Sequence, residues 1–196
     1  MRLIEATKSC LTKAFQFSGR ASRSEFWKFI LFIILVSIGL IIVNSLIVGP
    51  TITQELRVGI DHSGQQSQNL FFKKTYNGGW PGSIFLTLMV LPWFAAAWRR
   101  LHDIGRAGWN CLLPFAAGAI GAVIIFMTSS NVPIDTAALP EGFEIGTSIR
   151  VPQSIFAFLI AWLLPVVSMI IVTVWLARRS QPGPNRYGPN PHEALQ

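Results

Sequence analysis

The sequence predicts an all-α integral membrane protein with four transmembrane helices, an N-terminal amphipathic interfacial helix and both termini cytoplasmic. Three observations carry that prediction. Of the 196 residues, 51% are hydrophobic and 13% are charged, against about a quarter charged in an ordinary soluble domain. Four separate stretches are each long and apolar enough to cross a bilayer. The basic residues are also divided unevenly among the segments that join those stretches. With a mean hydropathy of +0.47, too little polar surface remains to cover so apolar a core in water. The same composition excludes a disordered chain.

A helix rises 1.5 Å per residue, so about 20 apolar residues cross the roughly 30 Å of hydrocarbon. The first span, residues 29–48, is uncharged and interrupted only by Ser37, Asn44 and Ser45. It is too long for the core of a cleaved signal peptide and lacks a small-residue cleavage pattern before Gly49 and Pro50. The second span, residues 80–98, starts with Pro81 next to Trp80 and contains Pro92, which predicts a kink. The third, residues 109–127, and the fourth, residues 155–177, carry Pro114 and Pro165 as internal prolines. Within the third, Ala117 with Gly121 and Gly118 with Ala122 place small residues four apart. That spacing permits close helix approach, either between copies or within one chain.

Twelve of the 16 Lys and Arg residues lie in the N-terminal segment, the link after the second span and the tail, residues 178–196. Only Arg57, Lys73, Lys74 and Arg150 lie in the other two segments. The positive-inside rule therefore puts both termini in the cytoplasm. Segments 49–79 and 128–154 become external, and their Gln, Gly, Ser and Pro content reads as polar loops. The chain reads as a single four-helix membrane domain.

Before the first span, Leu3, Ile4, Cys10, Leu11, Ala14, Phe15 and Phe17 recur at helical spacing with Lys8 and Lys13 between them. This predicts a short amphipathic helix in the interface or packed on the inner ends of the spans. In FSGRASRSEFW, Phe17 to Trp27, Gly19 allows a sharp turn, and Ser22 with Glu25 fits a capping box. Arg20 and Arg23 beside that helix start suit a phosphate or carboxylate.

In AWRRLHDIGRAGWN, Ala97 to Asn110, the residues Arg99, Arg100, His102, Asp103 and Arg106 crowd a turn between two spans, with Gly105 and Gly108 reversing the chain. His102 and Asp103 are neighbours in sequence and so point about 100° apart on a helix, which does not make a dyad. The tail QPGPNRYGPNPHEALQ is broken by proline and glycine, and Arg186 and Tyr187 sit in its turns. It predicts a segment folded back on the helix ends with Tyr187 as anchor.

The segments FSGRASRSEFW, RRLHDIGRAGW and GPNRYGPNP, in that order and separated by spans, resemble a family of small bacterial inner-membrane proteins called domain of unknown function 805. The family commonly has Ser where Ala107 stands and a second aromatic residue where Asn110 stands. The resemblance implies a helical protein of the bacterial cytoplasmic membrane and supplies no activity.

Three functions fit the residues. The first is a scaffold or anionic-ligand or lipid-binding protein whose basic face carries Arg20, Arg23, Arg99, Arg100, His102, Asp103, Arg106, Arg186 and Tyr187. The second is a small-solute transporter or channel formed by an oligomer, with broken spans as its motive and uncharged span interiors against it. The third is an interfacial enzyme with His102 as base and Asp103 orienting it. No cofactor or metal is expected, because His62 and His192 fall on an outer loop and the tail, far from His102 in sequence. Cys10 and Cys111 read as small apolar residues. The partners expected are membrane lipids with anionic headgroups and a second copy of the chain, with no nucleic acid.

Overall fold

The computed structural model describes residues 1–60, 66–133, 148–191 and 193, so His62 and His192 lie outside the described residues. The chain divides into two compact units: Met1–Phe17 with Ser24–Ala96, and Ser18–Arg23 with Ala97–Gln196. Four helices are long and apolar enough to cross a membrane: Arg23–Ile47, Gly79–Asp103, Gly108–Thr128 and Ile155–Ala177.

The first unit opens with α1 (Leu3–Thr12). Glu5 starts it by accepting the Arg2 amide at 2.8 Å, one of the donors a helix start leaves unsatisfied. Its buried residues are small, Ala6, Thr7 and Cys10, while Ile4 is exposed. The small face lets the backbone of α1 approach α2 (Arg23–Ile47). There the Ser9 hydroxyl donates to the buried Glu25 carboxylate at 2.9 Å. From Leu31 to Ile47, α2 buries no residue. An apolar helix with its large side chains turned outward is stable in hydrocarbon and not in water.

Between α2 and α3 (Gly79–Asp103) stand two paired strands, β1 (Thr51–Ile60) and β2 (Gln66–Thr75). They are antiparallel, with Thr51 opposite Thr75 and Ile60 opposite Gln66. A segment read as polar loop is thus a hairpin, and its signal is the alternation Ile52, Leu56, Val58, Ile60 against polar neighbours. Phe85 on α3 meets Phe32 on α2 edge-on at 6.3 Å. Asn44 closes the other end by donating to the Asn77 carbonyl at 2.9 Å. The helix continues through Pro92.

In the second unit a short 3-10 helix, Gly108–Leu112, leads into α4 (Leu113–Thr128). Pro114 lies in the first turn of α4, where its missing N–H costs no helical bond. It is not the internal break expected of it. Strands β3 (Ser129–Pro133) and β4 (Ser148–Pro152) pair antiparallel. They precede α5 (Ile155–Ala177), whose first turn is capped by Ser154 Oγ accepting from the Ala157 amide at 3.3 Å. A Cβ added at Gly121 would lie 2.5 Å from the Ala161 carbonyl oxygen. Of the small residues in the third span, Gly121 therefore serves helix packing within the chain. Cys10 and Cys111 are both buried, and neither is in a disulfide.

Candidate functional site

The second unit brings the three polar motifs together at the end of α3. The helix does not stop at Trp98; it runs on through Arg99 and carries Arg100, His102 and Asp103 in its last turn. Gly105, at φ +75°, terminates it. The Gly105 amide bonds the His102 carbonyl at 3.0 Å and the Arg106 amide bonds the Leu101 carbonyl at 3.0 Å. These two bonds form the glycine-dependent stop that satisfies two otherwise orphaned carbonyls. Gly108 is required for space instead, since any Cβ there would collide with the Trp98 indole.

Asp103 is the centre. Its carboxylate is fully buried, and each oxygen takes one guanidinium: Oδ1 accepts from Arg20 Nε at 2.9 Å, and Oδ2 accepts from Arg100 Nη1. Arg20 and Asp103 are 83 residues apart, with side chains 1% and 0% exposed. Arg20 spends the rest of its fork on backbone. Nη1 donates to Gly183 O at 2.8 Å and Gly188 O at 3.4 Å, and Nη2 donates to Gln181 O at 2.6 Å and Asp103 O at 3.3 Å. With Nε, these account for all five guanidinium donors.

Arg100 lies one helical turn before Asp103, so both reach the same side of α3. Its Nε donates to Leu176 O at 3.0 Å and its Nη2 to Arg178 O. Arg23 Nη1 adds a bond to Ala177 O at 3.4 Å. The last carbonyls of α5 therefore face guanidinium groups. The Arg20–Asp103–Arg100 triad carries one net positive charge, and the C-terminal ends of α3 and α5, each equivalent to about −0.5 charge, compensate it.

The tail is tied to the same place. The Gln181 amide bonds the Asp103 carbonyl at 3.0 Å, and Asn185 Nδ2 donates to the His102 carbonyl at 3.0 Å. Tyr187 stacks on the His102 ring with centroids 3.7 Å apart and planes 3° apart. His102 is 8% exposed, and its Nδ1 lies 3.2 Å from Gly19 O. A carbonyl only accepts, so Nδ1 carries the hydrogen. Trp98 meets His102 edge-on at 6.4 Å. The Asp103 carboxylate is engaged by Arg20 and Arg100, so it does not orient the imidazole as an acid–base partner would.

Of the nine residues singled out in the sequence, Arg20, Arg100, His102, Asp103 and Tyr187 meet in this clasp. Arg99 is buried beside them in α3. Arg23 and Arg186 are exposed, and Arg186 lies 4.6 Å over the Tyr187 ring. Arg106 is turned away onto Trp175, with its guanidinium carbon 3.8 Å from the ring centroid. Trp175, Gln181 and the carbonyls of Gly183 and Gly188 are functional positions that sequence reasoning missed. Only the glycines and prolines of the tail hinted at them. Among the described residues no group of three His, Cys, Asp or Glu side chains could hold a metal.

A family model described as protein of unknown function (DUF805) matches residues 14–136. Two Escherichia coli proteins, from strains K12 and O157:H7 and both named inner membrane protein YhaH, are 29% identical over 128 residues. That stretch is 64% of this chain and 85% of each relative. No solved structure matches the chain.

Proposed function

The chain belongs to the DUF805 family of proteins of unknown function, and we propose that it is a multi-pass inner-membrane scaffold with an anionic-lipid-binding cytoplasmic cap. In this reading both termini are cytoplasmic and α1 rests in the interface with Ile4 toward lipid. The clasp folds the N-terminal motif, the end of α3 and the tail into one rigid cap. The observation that carries the proposal is the division of labour among arginines. Arg20 and Arg100 are consumed on Asp103 and backbone carbonyls, while Arg23, Arg178, Arg179 and Arg186 stay exposed.

Each exposed guanidinium near an anionic leaflet contributes about 1 kcal/mol of attraction. Four on one folded cap bind more tightly than four on a mobile tail, because fixing the cap removes the ordering cost at binding. The test replaces Arg23, Arg178, Arg179 and Arg186 together by Gln and measures lipid retained from nanodiscs containing phosphatidylglycerol and phosphatidylcholine. Selective loss of phosphatidylglycerol is expected. Unchanged lipid composition around a correctly inserted protein would reduce these charges to orientation signals and refute the proposal.

A further inference from the structure

Between α4 and α5 runs an apolar groove of about 580 Å³, within the volume range typical of small-molecule sites. Ala116, Ala117 and Ile120 form one wall, and Leu164, Val167 and Ile171 lie on the other. Along α5 it extends from Ile160 to Trp175, about 22 Å at the helical rise. That length exceeds the roughly 15 Å of hydrocarbon in one leaflet. It also lies in spans that are long and apolar enough to be in lipid.

The end of the groove nearest the clasp differs from the rest. Trp175 lines it, and the Arg106 guanidinium rests on that ring at 3.8 Å. Unlike Arg20 and Arg100, Arg106 makes no ion pair or side-chain hydrogen bond to any described residue; its contact is with the indole face. Stacking leaves the N–H edge of the fork available, and that edge matches two oxygens of a phosphate. A hydrocarbon slot ending at an uncommitted guanidinium complements the shape and charge of an anionic phospholipid.

We infer that this groove is a specific site for one anionic phospholipid, with an acyl chain between α4 and α5 and the phosphate on Arg106. The inference rests on the lipid-binding reading above and narrows it from a surface to a site. The chain supplies the burial and Arg106 supplies the selection, so the two halves can be removed separately. Phosphatidylcholine also carries a phosphate, but its choline cation stands beside the guanidinium. Phosphatidylglycerol has no such repulsion.

Native mass spectrometry of the full-length protein, equilibrated with equal phosphatidylglycerol and phosphatidylcholine in mixed micelles, tests it. Arg106→Gln should lower retained phosphatidylglycerol about tenfold, as expected for loss of a charge-assisted hydrogen bond, and leave phosphatidylcholine unchanged. Ala116→Trp, at an exposed wall position, should lower both lipids by occupying the slot without disturbing a packed core. Wild-type retention in either variant overturns the site, and so does an equal loss of both lipids in Arg106→Gln. If the four-arginine cap variant loses phosphatidylglycerol while Arg106→Gln does not, the cap reading survives and this site falls. The reverse result keeps the site and removes the cap.

Discussion

Replacing Asp103 by Asn should be among the most damaging single changes in this chain. It retains the shape of the side chain and removes its charge, leaving the guanidiniums of Arg20 and Arg100 buried, 1% and 0% exposed, with no counter-ion. Each contact between opposite charges is worth about 4 kcal/mol at roughly 4 Å and an effective dielectric near 20. The lost attraction is partly recovered because Asn still offers one oxygen and because the helix ends keep their partial charge. Measured cases of a buried ion pair broken on one side cost about 3–5 kcal/mol, and the same range is expected here. Against a total stability of about 5–15 kcal/mol, the variant should be substantially unfolded under mild stress.

Unfolding by SDS in mixed micelles, followed by tryptophan emission, reads the change, with exposed Arg179→Gln as a control expected within about 0.5 kcal/mol of wild type. A second variant separates charge from packing. Arg20→Met with Asp103→Leu would approach neutrality if the pair merely filled space. It should stay well below wild type, because the carbonyls of Gln181 and Gly183 lose their donor. An Asp103→Asn protein within about 1 kcal/mol of wild type would show that the two guanidiniums do not depend on this carboxylate.

Tyr187→Ala should release the tail. The stacked His102–Tyr187 pair contributes about 0.5–1.5 kcal/mol beyond area burial, so limited proteolysis should cut after Ser180 sooner in Tyr187→Ala, whereas Tyr187→Phe should resist like wild type. Gly108→Ala should cost about 1–3 kcal/mol by overpacking against Trp98 and be partly rescued by Trp98→Phe in the same SDS titration. Gly105→Ala, which forces a side chain onto φ +75°, should cost about 1–2 kcal/mol and gain nothing from Trp98→Phe.

The membrane helices were legible because lipid imposes one simple rule, length of apolar chain. The fourth span, residues 155–177, coincides with α5. The rule failed where charge is hidden. A hydropathy boundary stops at Trp98, yet α3 runs on to Asp103 because Arg100 and Asp103 neutralise each other inside the fold. Likewise α2 begins at Arg23, six residues before the apolar stretch, with Glu25 tied to Ser9 on α1.

The site residues were visible by type and motif, but their pairing was not. Nothing local tells Arg20 that its partner is Asp103, 83 residues later, or that Gln181 and Gly183 will accept its remaining donors. Such contacts are made of backbone carbonyls, which every residue has, so no residue type announces them. The hairpin β1–β2 was missed for the opposite reason: its alternation was present, but a segment rich in Gln and Gly reads first as loop.

Closure of the N-terminal motif onto the end of α3 can be read from a double-mutant cycle between Arg20→Gln and Asp103→Asn, followed by SDS unfolding in the same detergent. If the two segments meet through this pair, the changes should couple by about 1–3 kcal/mol. Additive effects, within about 0.5 kcal/mol, would mean the two residues do not meet.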